Sequence, residues 1–566
     1  MLCKLYLSIL LFPFLLFAQF NQKVYVDDSK RIEFTSSNLP IFVINTNGQT
    51  IIDDEKITAD LGVIYNGEGV RNYLTDPFNH YNGKIGIEIR GSSSQMFPKK
   101  QYGVETRDAG GNDLDVSLLG FPAESDWIFS APYTDKSLMR DVLAYHLFSS
   151  MGHYASRYKY YELILNGEYR GVYVLFEKIK RDKNRVNIKK MEPTDISGDA
   201  LTGGYIVKID KWDGENNEGW NSSFPAYPGA WQNVSYQYHI PKPDDIVDQQ
   251  KTYIKSFIYD FERKMNSDYF NNPDSGYATF IDVPSFVDMF LVNEVSKNVD
   301  GYRLSTFLYK DRNSVNKKIF AGPTWDYNLA FGNADYYEGW LRTDWQIDYL
   351  SSDPGFLSSD GYVPPFWWKK LMDDTTFANC VRYRWETLKN SLFSFNSFNT
   401  TIDSIVNVVN EAQVRNYQRW PILGTYVWPN AYIGQTYAEE LIYLKSWIRD
   451  RLTWLSYYMI GNLTEVEETE IPNAFELSQN FPNPFNPSTT LSYSIPYQCN
   501  VIICIYNTLG QKVKELVNEN KQAGKYSLTV DMSNYAGGVY FYRININSFN
   551  NGMNPVSLTK KMIYLK

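Results

Sequence analysis

The chain has 566 residues and a formal net charge of −9, and 43% of its residues are hydrophobic. This length predicts several domains and a large core, while the acidic balance argues against a nucleic-acid-binding surface. No apolar run of about 20 residues follows the N-terminal stretch, so no membrane span is expected in the mature chain.

The first 18 residues have the pattern of a secretory signal peptide. Lys4 supplies a positive charge, residues 5–17 are almost all apolar, and the small residue Ala18 provides a cleavage point. None of the four cysteines has the spacing of a disulfide framework or a zinc site. The sequence therefore predicts an exported protein that is stabilised by core burial.

Short β segments dominate residues 19–245, which we predict to form a β-rich lobe. Two strand patterns, 84–90 and 101–106, flank a Gly-Ser-Ser-Ser turn at 91–94. A polar turn of this kind between two strands is a suitable cover for a bound phosphate. Further along, the Asn-Gly pair at 166–167 separates two more strand patterns and predicts a hairpin.

Helical patterns dominate residues 246–460, which we predict to form a second lobe. These patterns cover 248–265, 284–295, 377–392, 402–413 and 438–458. In the β-rich part, one helix is predicted from 138 to about 151, with Ser137 as its N-cap. The order of elements indicates an α+β body with two lobes.

The composition changes after residue 460. Residues 464–470 are acidic and lack large hydrophobic side chains, which predicts a linker over residues 461–475. Residues 476–566 begin with a Pro-rich run and continue as alternating short strands. This pattern predicts a small all-β, immunoglobulin-like sandwich.

Two aspartates stand in Gly- and Asn-bearing surroundings just past apolar runs. Asp300 precedes Gly301, and Asp326 lies between Trp325 and Tyr327. Phosphoryl transfer needs such a pair, because one carboxylate orients a hydroxyl nucleophile and another holds a metal on the phosphates. For Asp300 the alternative is an Asx-turn or a helix-end cap. Asp326 would need a partner or a metal if it is buried among aromatic residues.

The order of motifs within residues 34–334 resembles the CotH kinase family, the secreted kinase-like proteins first associated with spore coats. The resemblance is carried by residues 90–94, 98–102, 126–127, 135–140, 166–173, 177–178, 202–205, 293–302 and 322–328. The helical region up to about residue 458 resembles the family's C-terminal lobe more weakly. The resemblance implies an atypical protein-kinase-like, two-lobed fold that binds ATP with Mg²⁺ or Mn²⁺.

The resemblance also implies roles for single residues. Asp300 would be the base near the acceptor hydroxyl, and Asp326 would bind the metal, with Asn328 as a further ligand. Lys100 is the first candidate for the lysine that contacts the phosphates, and Lys99 is the second.

Four more residues are expected near the nucleotide on the same grounds. Arg90, Ser92 and Ser93 would lie beside the phosphates, although Arg90 could equally hold backbone carbonyls. Glu177, at the end of a strand, would pair with the lysine or reach a metal, although a surface position is the alternative.

The sequence departs from the protein-kinase pattern in three ways. It has no G-x-G-x-x-G loop, so the serine turn would have to approach the phosphates. Ser305 stands five residues after Asp300, where a protein kinase has its second metal-binding Asn, and Asn298 or Asn328 would have to replace it. The helix from residue 138 carries no Glu to pair with the lysine. These departures leave open a kinase-like protein without turnover.

The last 90 or so residues resemble a type IX secretion C-terminal sorting domain. The residues that carry this resemblance are 480–487, 505–513, 523–524 and 537–540. The resemblance implies that the type IX secretion machinery is a partner. Together with the signal peptide, it implies export across the inner and outer membranes to the cell surface or the medium.

The leading hypothesis is a secreted kinase that transfers the γ-phosphoryl group of ATP to a hydroxyl side chain of another exported protein. One alternative is a catalytically weak, kinase-like surface protein with a binding or structural role. Another is a surface glycan-binding protein associated with polysaccharide use. The 14 Trp and 45 Tyr are spread evenly along the chain, which is more typical of core residues than of a sugar-binding surface.

Overall fold

The computed structural model describes residues 32–212, 218–463, 474–496, 499–521, 524–547 and 556–566. The predicted signal peptide and most of the predicted linker lie outside these residues. Strands dominate the first part of the described chain, helices dominate the middle, and strands return at the end. The predicted α+β class and this order of elements are therefore confirmed.

The N-terminal part is built around a closed seven-stranded barrel. The strands of this part are β1 (Ser36–Ser37), β2 (Ile41–Asn45), β3 (Ile57–Ile64), β4 (Asn72–Tyr73), β5 (Tyr81–Arg90), β6 (Gln101–Arg107), β7 (Asp126–Ser130), β8 (Tyr158–Leu165) and β9 (Glu168–Glu177). The order around the barrel is β2-β3-β5-β6-β7-β9-β8. Neighbouring strands are antiparallel except β2 and β8, which close the barrel as a parallel pair.

Alternating apolar residues fill the barrel. In β3, Ala59, Leu61 and Val63 all point to the interior, because side chains two positions apart share one face of a strand. The rings of Phe42 and Tyr161 stack there with their centroids 4.0 Å apart. Because the barrel is closed, its sheet has no free edge. The turn between β5 and β6 is therefore attached to a rigid part of the protein.

The predicted hairpin is formed by β8 and β9. Asn166 and Gly167 have φ angles of 51° and 79°, the left-handed conformation that a two-residue hairpin turn requires. The predicted helix is α1 (Arg140–Ser150), but the prediction that Ser137 caps it is wrong. Asp135 takes that role, because its Oδ2 accepts a hydrogen bond from the Arg140 amide at 2.7 Å.

A five-stranded antiparallel sheet follows the barrel. Its strands are β10 (Tyr205–Ile209), β11 (Gly219–Asn221), β12 (Ser235–Ile240), β13 (Thr306–Lys310) and β14 (Ile319–Ala321), in the order β11-β12-β10-β13-β14. The helices of this part are α2 (Gly198–Leu201), α3 (Asp248–Met265), α4 (Val283–Ser296), α5 (Gln346–Ser352), α6 (Pro354–Ser359), α7 (Phe366–Asp373), α8 (Thr375–Leu388), α9 (Phe395–Arg419) and α10 (Tyr437–Tyr458).

Helix α4 lies at the centre of the helical part. Nearly all of its residues are buried, and it contacts α1, α8 and α10. An apolar residue on every side is typical of such a central helix. The helix ends at Ser296, and Lys297 after it has a left-handed φ of 46°. The chain turns there and stays buried through residues 297–299 before it reaches Asp300.

The C-terminal part consists of two antiparallel sheets around one hydrophobic core. Its strands are β15 (Glu476–Leu477), β16 (Ser488–Ile495), β17 (Cys499–Tyr506), β18 (Lys512–Lys521), β19 (Gly524–Asp531), β20 (Gly538–Asn547) and β21 (Val556–Tyr564). One sheet has the order β15-β16-β19 and the other β18-β17-β20-β21. In the described part of the chain, no helix has the length and apolar character needed to cross a membrane.

Candidate functional site

A cleft is lined by residues from both the barrel and the helical part. The barrel supplies the end of β5 and the turn that follows it, while the helical part supplies the segments after α4 and after β14. Eight residues singled out in the sequence line this cleft: Arg90, Ser92, Ser93, Lys99, Asp300, Ser305, Asp326 and Asn328. The structure thus brings together side chains that lie more than 200 positions apart.

The serine turn connects β5 and β6 at the edge of the cleft. Gly91 has a φ of +96°, a conformation that favours glycine, and Ser92 and Ser93 are exposed beside it. Gln95 holds the turn, because its amide donates to the Gly91 carbonyl at 2.6 Å and to Asp53 at 2.7 Å. The two serines therefore present hydroxyl groups on a braced loop.

Arg90 is the last residue of β5 and is half-buried. Its guanidinium carbon lies 5.8 Å from the centre of the Trp325 ring. Burial lowers the pKa of Arg90, and the nearby Asp326 carboxylate opposes that effect. Because an arginine stays charged at any physiological pH, the cleft holds a fixed positive charge close to Asp326.

Asp300 is held in place by its own loop. Its amide donates to Oδ1 of Asn298 at 3.2 Å, and Nη2 of Arg303 donates to one Asp300 carboxylate oxygen at 2.7 Å. Arg303 also pairs with Asp360 at 3.2 Å, which anchors the arginine. This arrangement orients the Asp300 carboxylate at the cleft.

Asp326 has an unusual backbone conformation. Its φ is +61°, which is rare for a residue other than glycine. Side chains of α1 accept two hydrogen bonds from this backbone: the Asp326 amide donates to the Tyr145 hydroxyl at 3.2 Å, and the Tyr327 amide donates to Oδ1 of Asp141 at 2.6 Å. Strained positions that are held in this way are concentrated at functional sites.

Several carboxylates converge around Asp326. Asp326 is exposed on its cleft side, and protein atoms surround it on the other sides. This dense packing, together with the charges of Asp300 and Asp210, raises the pKa of Asp326 to about 6. The pKa of Asp141 is raised to about 8 by burial and by the charge of Asp326. Arg90 acts in the opposite direction on both groups. A cation bound between the two carboxylates would relieve their repulsion.

A metal would have to be held by few protein ligands. No group of three or more His, Cys, Asp or Glu side chains suited to a metal ion occurs among the described residues. Mg²⁺ is typically bound through one or two carboxylates together with the phosphates of a substrate. The oxygen atoms of Asp326, Asp141 and Asn328 fit that kind of site, since all three residues line the cleft.

The two candidate lysines have other partners. Nζ of Lys99 is buried and donates to the Val172 carbonyl at 2.6 Å and to Oδ1 of Asn416 at 2.9 Å. Nζ of Lys100 donates to the Gln95 carbonyl. Lys99 is among the described residues that line the cleft, and Lys100 is not.

Glu177 is bound by arginines, with no lysine among its described partners. It is fully buried at the end of β9, and its carboxylate accepts from Arg157 at 2.7 Å and pairs with Arg185 at 3.1 Å. It is also absent from the described cleft lining. These contacts make Glu177 part of a buried ion-pair network that anchors the chain after the barrel.

Several cleft residues were not predicted from the sequence. They are Asp141, Tyr145, Asp210, Lys211 and Trp325. Asp141 directly follows the motif at 135–140, so a search of that helix for any acidic residue, and not only Glu, would have found it. Asp210 and Lys211 follow β10 directly, and a polar pair at the end of a buried strand was the available indication.

A second cavity adjoins the cleft. The two share four lining residues: Arg90, Ile128, Asp210 and Trp325. The second cavity is also lined by residues 178–180, which follow β9, and by Phe307 of β13.

His239 fixes the segment 178–180 at the wall of the second cavity. Its Nε2 lies 2.8 Å from the Ile179 carbonyl, so Nε2 carries the hydrogen. Burial lowers the pKa of His239 to about 4. The ring is therefore neutral near pH 7 and holds Ile179 by a hydrogen bond.

Comparison with known proteins places this site in a family. The model of the CotH kinase protein family matches residues 87–455, which is more than half of the chain. The model of the secretion system C-terminal sorting domain matches residues 479–562. No curated protein compared with the chain matches it. The matched segments contain the cleft and the C-terminal pair of sheets, and both resemblances noted in the sequence are confirmed: the chain belongs to the CotH kinase protein family and ends in a type IX secretion sorting domain.

Proposed function

We propose that the chain is a secreted kinase that transfers the γ-phosphoryl group of ATP to hydroxyl side chains of exported or cell-surface proteins. One observation carries the proposal: a single cleft is lined by Asp300, Asp326, Arg90 and the serine turn. Two carboxylates, a fixed cation and a polar loop are the parts that position and stabilise a transferring phosphoryl group.

The order of these parts along the chain supports a protein-kinase-like arrangement. A glycine-containing turn between β5 and β6 comes first, then α1 with an acidic residue, and then the segment 178–180 after the barrel. Asp300 follows the buried helix α4, and Asp326 follows the pair β13–β14. Protein kinases place their phosphate-covering loop, acidic helix, base aspartate and metal-binding aspartate in the same order.

Asp326 and Asp141 are proposed to hold Mg²⁺ or Mn²⁺, with Asn328 as a further oxygen ligand. When bound, the metal neutralises charge on the phosphates. The raised pKa values of the two carboxylates support this role: burial raises both, Asp300 and Asp210 add to the effect on Asp326, and Asp326 adds to the effect on Asp141, so a nearby cation would favour their charged forms. The hydrogen bond from the Tyr327 amide fixes the Asp141 carboxylate at 2.6 Å.

Arg90 is proposed as the side chain that contacts the phosphates. Lys100 was the first candidate from the sequence, but its Nζ is occupied by the Gln95 carbonyl. Arg90 lines the cleft next to Ser92 and Ser93, and a guanidinium group matches phosphate oxygens in a two-pronged geometry. Asp300, oriented by Arg303, is proposed to accept the proton of the acceptor hydroxyl.

The nucleoside is proposed to occupy the second cavity. Its walls include Trp325 and Phe307, whose rings offer flat surfaces for a base, and residues 178–180 complete the lining. Since Arg90 and Trp325 line both cavities, a nucleotide can extend from one into the other. The predicted signal peptide and the sorting domain would deliver this site to the cell surface or the medium.

The test is transfer of label from γ-labelled ATP in the presence of Mn²⁺. The full chain is incubated with proteins released from the surface of a host that uses type IX secretion. We expect label on an acceptor protein, and loss of label with Asp300→Asn and with Asp326→Asn. Asp274→Asn, which changes an exposed carboxylate outside the cleft, serves as the matched control. Equal labelling by wild type and both cleft variants would refute the proposal.

A second candidate function is a surface protein that binds nucleotide without turnover. The observation that favours it is Ser305, which lines the cleft where a protein kinase has a metal-binding Asn. A hydroxyl is a weaker metal ligand than an amide oxygen. Binding of ATP with Mn²⁺ that is lost in Asp326→Asn, without any transfer of label, would support this candidate over the kinase.

A further inference from the structure

A third cavity lies between helix α3 and strand β11, and we call it the α3 cavity. Its lining residues include Trp220, Ser223, Thr252, Ser256, Tyr259 and Glu262. None of the described residues that line it also lines the cleft or the second cavity. Its volume of about 330 Å³ is at the lower end of the range for pockets that bind small molecules.

The side of α3 that faces this cavity is polar, whereas its opposite side packs into the core. Thr252, Ser256 and Tyr259 are exposed, and their spacing of four and three residues places them in one row along the helix. Glu262 continues this row by three residues but is only 2% exposed. Its carboxylate therefore lies at the inner end of the cavity.

Two hydroxyl groups donate to the Glu262 carboxylate. Tyr236 donates to Oε1 at 2.8 Å, and Ser222 donates to Oε2 at 2.8 Å. The tyrosine oxygen accepts from Nε1 of Trp367 at 3.1 Å, and the serine oxygen accepts from the Phe224 amide at 3.0 Å. Because each oxygen already accepts a hydrogen, it can give its own hydrogen to Glu262. This arrangement suits the ionised carboxylate, which can only accept.

The charge of this carboxylate is not balanced by a cation. In the described part of the chain, no lysine, arginine or histidine is among the partners of Glu262. Burial raises its pKa to about 7, and the two hydroxyl groups oppose that effect. Lys255 also lines the cavity, but it is exposed and lies about 10 Å from Glu262 along the helix. A buried carboxylate that is prepared for ionisation but has no cation beside it favours a cation from outside.

Aromatic rings form part of the cavity wall. Trp220 and Tyr259 line it, and the Trp220 ring is held by stacking on Tyr236 with centroids 5.4 Å apart. Aromatic rings attract organic cations and cover alkyl groups. Each oxygen of Glu262 accepts one of these two hydrogen bonds and has room for another. The wall and the carboxylate together therefore favour an organic cation that carries N–H donors.

We propose that the α3 cavity binds a small organic molecule with a primary ammonium group. The ammonium group donates to Glu262 and balances its charge, while the alkyl part contacts Trp220 and Tyr259. A sugar supplies no positive charge, and a metal ion makes no use of the aromatic wall. This inference does not depend on the proposed kinase activity, because the cavity and the cleft share no described lining residue.

The first test is calorimetric titration of the full chain with n-pentylamine at pH 8 in phosphate buffer. This amine is protonated at that pH, as a lysine side chain is. 1-Pentanol has the same alkyl chain without the charge and serves as the control ligand. We expect saturable binding of one pentylamine per chain and no saturable binding of pentanol. No saturable binding of pentylamine, or equal binding of both ligands, would overturn the proposal.

The second test uses variants of the full chain. Glu262→Gln keeps the shape of the side chain without its charge, and it should weaken pentylamine binding at least about tenfold. Ser256→Trp leaves the carboxylate in place but fills the cavity, and it should cause a similar loss. Glu218→Gln makes the same chemical change at an exposed carboxylate that pairs with Lys251 at 2.7 Å outside the cavity lining, and it should bind as wild type does.

Thermal unfolding without amine checks that each variant is folded. Unchanged binding by Glu262→Gln or by Ser256→Trp contradicts the assignment of the ligand to this cavity. An equal loss of binding in Glu218→Gln contradicts it as well, because the effect would then not depend on the buried carboxylate.

Discussion

Replacement of Arg90 by methionine tests whether Arg90, as the structure indicates, or Lys100, as the sequence suggested, contacts the phosphates of ATP. Methionine keeps much of the length and apolar contact of the side chain but removes its charge. In the structure, Arg90 lines the cleft beside Ser92 and Ser93, whereas Lys100 donates to the Gln95 carbonyl. We therefore expect Arg90→Met to weaken ATP binding and Lys100→Met to leave it nearly unchanged.

The size of the effect follows from the interaction that is lost. A hydrogen bond to a charged group contributes about 1.5–3 kcal/mol, which corresponds to roughly a 10- to 100-fold increase in the Kd for ATP with Mn²⁺. A second effect adds to it, because Arg90 lowers the pKa of Asp326. Without Arg90 that pKa rises above about 6, so metal binding should be lost at a higher pH than in wild type.

Calorimetric titration with ATP and Mn²⁺ at pH 7.5 measures both variants. Arg90→Lys is a useful third variant, because it keeps the positive charge without the two-pronged geometry and should fall between wild type and Arg90→Met. Thermal unfolding of each variant checks that the fold is kept. If Arg90→Met binds ATP as wild type does, or if Lys100→Met weakens binding more, the placement of the phosphates beside Arg90 is wrong.

Three further predictions concern pH and packing. Because the pKa of Asp326 is raised to about 6 and that of Asp141 to about 8, Mn²⁺ affinity measured by electron paramagnetic resonance should fall by more than about tenfold from pH 7 to pH 5, and a flat profile would contradict this. Burial raises the pKa of Glu262 to about 7, so the free energy of unfolding of wild type falls as pH rises from about 4.5 through 7. In urea unfolding at pH 8, Glu262→Gln should therefore be more stable than wild type by up to about 3 kcal/mol. At pH 4.5 the two proteins should differ little. Gly171 has a φ of +97° and an added Cβ would lie 2.5 Å from Asn416, so Gly171→Ala should cost about 3 kcal/mol in the same assay; an unchanged midpoint would contradict it.

The elements that were predicted well depend on local patterns. The bounds of α3, Asp248–Met265, agree with the prediction from apolar periodicity, and the Asn-Gly turn predicted the β8–β9 hairpin. Closure of the barrel was not predicted, because it rests on a parallel pairing of β2 with β8. These strands are more than 100 residues apart, and no local pattern reports on such a contact.

In the candidate site, too, some residues could be identified from local patterns, and contacts between distant segments could not. Asp300 and Asp326 could be selected because each stands within a motif, and both line the cleft. The partners of Lys100 and Glu177 could not be predicted, since they depend on how the serine turn folds and on where Arg157 and Arg185 meet the end of β9. In the sequence, Lys100 and Arg90 are equally plausible cations, and only the packing of the turn distinguishes them.

The central claim is that this cleft binds a nucleotide together with a divalent metal. Titration of the full chain with ATP at millimolar Mn²⁺, with wild type and Asp326→Asn compared in one calorimetric experiment, tests it most directly. We predict saturable binding of one nucleotide per chain to wild type and at least a tenfold loss of affinity in the variant. No binding to wild type, or equal binding to both proteins, would contradict the account.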